Sequence, residues 1–62
     1  MDKISLCKEI VRQPGLGYDL TGEQMLLIGY APEDDPQWPS LGGILRQAKR
    51  VLEEDAKDGE ED

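Results

Sequence analysis

The sequence has no histidine, no phenylalanine and a single cysteine among its 62 residues. Each absence excludes something. Without histidine there is no Ser–His–Asp triad and no Cys–His pair, most zinc sites are excluded, and neither metal nor cofactor is expected. The lone Cys7 excludes an internal disulfide framework and suits a reducing compartment, so a cytoplasmic location is expected. Long apolar runs are missing as well. The longest, Met25-Leu26-Leu27-Ile28, falls far short of a membrane span or a signal-peptide core. Positive charge is in deficit, with seven bases against fourteen acids and a formal net charge of −7. That sign works against direct nucleic-acid binding, where Lys and Arg supply affinity by releasing counterions, and against anionic membrane surfaces.

Aliphatic residues are scarce too. Leu, Ile and Val total 14 of 62 residues, just above the roughly 20% below which highly charged chains tend to stay disordered. A chain this short is one domain, and it buries only about 60% of the surface its unfolded form exposes. It lacks disulfide or metal staples, so self-association is the remaining common way to complete its core.

What is present reads as an all-α domain over residues 1–56. Asp2 is placed to cap a first helix over about 3–12, whose stripe is Ile4, Cys7, Ile10 and Val11. Gln13-Pro14-Gly15-Leu16 reads as a type II turn that stops it. Thr21 with Gln24 three residues on is a capping box for a second helix over about 22–29, with Leu20 and Met25 placed as its hydrophobic staple. A short apolar run such as 25–28 also suits a buried strand; the cap decides for a helix. Gly29 is the natural stop. Residues 31–39 hold three of the four prolines and the triplet Glu33-Asp34-Asp35, and are expected to be an extended, exposed acidic linker.

Ser40 caps the third helix, over about 41–56, with apolar positions Leu41, Ile44, Leu45, Ala48, Val51 and Leu52. Arg46, Lys49, Arg50, Glu53 and Glu54 form its opposite, solvated face. Gly42 and Gly43 weaken its first turn by about 1 kcal/mol each relative to Ala; they mark either a close backbone approach or a frayed start. Residues 57–62 are expected to be a disordered acidic tail. Residues 53–62 alone carry a net charge of −6, leaving −1 for residues 1–52. Acids at that helix end also oppose the helix dipole, which prefers cations there.

The chemistry-bearing motifs are weak. Gly15, Gly17 and Gly22 suggest a phosphate loop, but Glu23-Gln24 follow where Lys and a hydroxyl residue are required; turn formation explains them better. Cys7 lies on an apolar stripe, which suits an inert core thiol. The carboxylates cluster in the linker and tail rather than in a pocket that would separate their pKa values. No enzyme is expected.

The function expected is that of a small non-enzymatic interaction module or regulator. It binds and modulates another protein and forms a homodimer by pairing the 41–52 stripes or swapping first helices. Its interaction residues are Trp38 and Tyr30 near the linker, then Leu41, Ile44, Leu45, Ala48, Val51 and Leu52. Trp38 is either an aromatic plug over the core or a hot-spot anchor. One alternative is an acidic nucleic-acid mimic that blocks a DNA- or RNA-binding protein; small acidic inhibitors encoded by phages or mobile elements are similar in size and charge. A further alternative, a helix-turn-helix DNA reader, meets a linker too long for its turn.

Overall fold

A computed structural model describes residues 2–60, and within them helices pack on helices with no strand. Helix α1 spans Lys3–Arg12. Its start is fixed by Asp2, whose carboxylate accepts from the Ser5 N–H at 2.7 Å. That bond satisfies one of the orphan donors of the first turn. The buried face is Leu6, Cys7 and Ile10, flanked by half-buried Ile4 and Val11. Leu6 extends the stripe expected from the sequence by one position. The helix stops at Gln13, held at φ −131° and ψ 83°, because a residue before proline is pushed out of the helical region.

The expected type II turn is corrected by the structure. Pro14–Asp19 is a 3-10 segment, begun by the Leu16 N–H donating to the Gln13 carbonyl at 2.9 Å. It carries Leu16 onto the core, a task a single reversing turn would not perform. Gly17 is buried in this segment, and a Cβ there would lie 2.6 Å from Leu41 Cδ2. Gly17 thus serves close approach to the third helix rather than turn geometry.

Helix α2 spans Gly22–Leu27 and is braced at both ends. At its start the Gln24 N–H donates to Thr21 Oγ1 at 3.2 Å, while the Thr21 N–H donates to Gln24 Oε1 at 2.9 Å. At its end Gly29 takes φ 81°, the left-handed region that favours glycine. The Tyr30 N–H then reaches the Met25 carbonyl at 2.9 Å and the Gly29 N–H reaches Leu26 at 3.0 Å. Those two bonds are a Schellman closure. It ends the helix two residues before the expected position 29, because the closure needs Ile28 and Gly29 outside the helix. The Ile28 carbonyl accepts from Gln47 Nε2 at 3.0 Å.

Residues 28–40 then lead into α3, Leu41–Glu60. The expected linker is not simply extended: Pro32–Asp34 forms a second 3-10 segment, and the Trp38–Pro39 peptide is cis. Along α3, Ile44, Ala48 and Val51 are buried, and Leu41, Leu45 and Leu52 are half-buried. Helix α1 packs directly on it. Leu6, Cys7, Ile10, Met25, Ile28 and Tyr30 complete the core around these positions. Of the stripe expected to pair across a two-fold, Ile44, Ala48 and Val51 are therefore covered within one chain, while Leu41, Leu45 and Leu52 keep part of their surface.

The expected end of this helix near Ala56 is also corrected. Helix α3 continues through Lys57 to Glu60, so the tail expected to be disordered is helical that far; residues 61–62 lie outside the described residues. The polar composition of residues 57–62 set the shorter expectation; Glu, Ala and Lys are strong helix formers and no proline intervenes, so the helix runs on even through Asp58 and Gly59. Every side chain from residue 53 to residue 57 is exposed, so this end stands clear of the core.

Substituting Gly29→Ala forces a side chain into the left-handed region and brings its Cβ to 3.1 Å from Gln47 Nε2. Urea unfolding followed by circular dichroism is expected to show a loss of about 1–2 kcal/mol. Gly22→Ala, which meets open space, serves as the tolerated control.

Candidate functional site

The linker is organised by one carboxylate. Asp35 Oδ2 accepts from the Tyr30 hydroxyl at 2.6 Å and from Ser40 Oγ at 2.7 Å, and Oδ1 accepts from the Gln37 N–H at 2.9 Å. The Ser40 N–H donates to the Tyr30 oxygen at 2.9 Å. Ser40 Oγ also accepts from the Gly43 N–H at 3.1 Å, which caps α3 as its sequence position predicts. Three donors hold the Asp35 carboxyl below its ordinary value of 3.8: the Tyr30 hydroxyl first, then Ser40, then the Gln37 N–H.

Gly43 is the position where this cluster touches α3. A Cβ there would collide with the Asp35 carboxylate and lie 2.6 Å from the Tyr30 oxygen. The two readings of the glycine pair thus divide. Gly43 permits close approach, by side chains rather than by another backbone, while Gly42 faces open space.

Beside the cluster lies an open cleft of about 330 Å³, bounded by Asp34, Asp35 and Gln37 on the linker and by Gly42, Arg46 and Arg50 on α3. Its walls carry both signs of charge. A smaller groove of about 180 Å³ runs over Gly17, Tyr18, Leu20, Met25, Pro39 and Leu41, and its lining is mostly apolar.

Several residues expected at an interface lie elsewhere. Tyr30 is 2% exposed, and Ile44, Ala48 and Val51 are buried with it in the core. Their apolar surface is already spent inside the chain. Trp38 is half-buried and packs against the core, its ring centroid 6.1 Å from that of Tyr30. That placement fits the plug more than the free anchor. Its Nε1 is buried and has no hydrogen-bond partner among the described residues. Leu41, Leu45 and Leu52 remain half-buried along α3.

The exposed apolar surface was assigned to no site from the sequence. Tyr18 is 79% exposed, Leu26 69% and Leu27 42%. Leu26 and Leu27 sit in the run Met25–Ile28, whose ends turn inward while its centre turns out. Helical spacing places Met25 and Ile28 on one side, a signal available once the run is taken as a helix rather than a strand. Cys7 is buried, and burial pushes its thiol up.

Comparison of the chain with protein-family models, with curated proteins and with solved structures finds no match.

Two outcomes are expected of the cluster. Gly43→Ala destabilises by about 1–3 kcal/mol through overpacking, whereas Gly42→Ala stabilises by up to about 1 kcal/mol through helix propensity; chemical denaturation separates them. The second concerns acid. Asp35 and Asp2 both titrate below 3.8 in the folded chain, Asp2 through the Ser5 N–H first. Their contributions are complete above the unfolded carboxylate value and are lost as pH falls through the depressed folded values. Thermal melts of the native chain therefore drop on acidification through and below pH ~4. Asp35→Asn, already weaker at neutral pH, drops less over the same range.

Proposed function

We propose that this chain is a small non-catalytic interaction module that binds and modulates another protein. The observation that carries the reading is the outward pair Leu26 and Leu27 on α2. The fold braces this helix at both ends, so the two side chains are presented on a fixed platform rather than on a loose loop. Pre-organised apolar side chains lose little conformational freedom on binding. Exposed Tyr18 and half-buried Leu20 add apolar surface near the groove.

The polar inventory supports the same reading. The Tyr30 and Ser40 hydroxyls are committed to Asp35, and Cys7 is a buried thiol of raised pKa, which suits a reducing cytoplasmic setting. No helix among the described residues is long and apolar enough to cross a membrane. Residues 28–40 separate α2 from α3, a stretch too long for a helix-turn-helix turn. Ile44, Ala48 and Val51 are covered within one chain, so self-association through the 41–52 stripe would rest on half-buried Leu41, Leu45 and Leu52.

The end of α3 carries a second reading, an acidic nucleic-acid mimic. Glu53, Glu54 and Asp55 are exposed on a helix rather than scattered in a coil. Such a helix sets carboxylates at regular spacing.

A photo-reactive side chain placed at Leu26, and separately at Lys49 and Glu54, distinguishes these readings in a lysate of the native cell. A protein cross-linked from position 26 alone is the expected result, and its function measured with and without the chain then shows modulation. Cross-links only from position 54, lost in the Glu53→Gln/Glu54→Gln/Asp55→Asn variant, favour the mimic. No protein adduct from any position rejects both.

A further inference from the structure

The segment that carries the exposed apolar residues Tyr18, Leu26 and Leu27 has no base of its own. Between Arg12 and Arg46 the sequence has no lysine or arginine but five acids: Asp19, Glu23, Glu33, Asp34 and Asp35. Asp35 is committed to its three donors, and the other four are exposed. Glu23 precedes Leu26 by three positions and Leu27 by four, so the carboxylate and the two leucines share one face of α2. That face of α2 thus presents an apolar pair with one exposed carboxylate and no cation on the same helix. We propose that this face of α2 docks a basic amphipathic helix of a partner protein. The partner's apolar side covers Leu26 and Leu27, and its Lys or Arg residues meet Glu23.

Charge decides against the simplest other occupant. A two-fold contact between identical α2 faces brings two Glu23 carboxylates into one interface with no base of α2 to pair with either. An anionic membrane is repelled by the same acids.

This inference rests on the interaction reading given above, and the experiment keeps the two apart. The full-length chain, labelled with nitrogen-15, is titrated with two synthetic helical peptides of identical apolar pattern, one with lysine at every polar position and one with glutamate. The expected result is saturable amide shifts centred on residues 18–27 with the lysine peptide, weakened at high salt, and binding of the glutamate peptide weaker by at least about ten-fold. Leu26→Ser/Leu27→Ser weakens the lysine peptide by about ten-fold or more while circular dichroism is unchanged. Glu23→Lys, which leaves the apolar pair intact, narrows the gap between the two peptides. Shifts centred on residues 53–57 overturn the proposal, because they show simple attraction to the acidic end of α3. Equal binding of both peptides, binding of neither, or self-association abolished by the double serine variant also overturns it. If such a result comes with a protein cross-linked from position 26, the chain is an interaction module whose partner is not basic; without that cross-link both readings fail.

Discussion

The carboxylate of Asp35 is the point on which the linker, the start of α3 and the top of the core converge. It gathers a buried phenol, the capping hydroxyl of α3 and a backbone N–H of its own turn. A charged acceptor shared by several donors is stronger than neutral pairs and sets direction as well as energy. Here it fixes where the Pro-rich segment runs and where α3 begins. It also gives the Tyr30 hydroxyl a partner, so the largest fully buried side chain leaves no orphan polar group in a small core.

That arrangement explains why a chain with so few aliphatic residues holds a defined shape without staples. Polar closures sit at the ends of elements, at Asp2, Thr21, Gly29 and Ser40, while the apolar residues are concentrated between α1 and α3. Each closure satisfies backbone groups that water would otherwise have to reach. Elements as short as α2 are marginal in isolation, and their persistence depends on such ends and on the packing of Met25 and Ile28.

Local rules made much of this legible. Asp2, Thr21 with Gln24, Gly29 and Ser40 occupy the capping positions their residue types predict, and the stripe of α3 faces inward at Ile44, Ala48 and Val51. The shortfalls are non-local. Asp35 sits in an acidic triplet that reads as solvated, and only folding reveals Tyr30 and Ser40 beside it. Gly17 reads as a turn former and Gly43 as either a close approach or a frayed start, and folding shows the space above each taken by side chains distant in sequence. Tyr30 was expected at an interface because it neighbours the linker, but its ring closes the core. The surface pair Leu26 and Leu27 was hidden inside an apolar run whose inward and outward members differ only by helical phase.

The free end of α3 has a consequence for how the molecule moves in solution. With extents of 37 × 22 × 18 Å, the chain is about twice as long as it is thick. A helix rises about 1.5 Å per residue, so the turns beyond Leu52 lengthen the particle while adding little to its body. Friction, rather than mass, governs how fast such a particle diffuses and where it elutes from a sieving column. A single copy of this chain therefore migrates like a slightly larger sphere, by far less than the doubling of mass that a dimer adds. Light scattering or sedimentation equilibrium, which weigh the particle without reference to its outline, count the copies correctly.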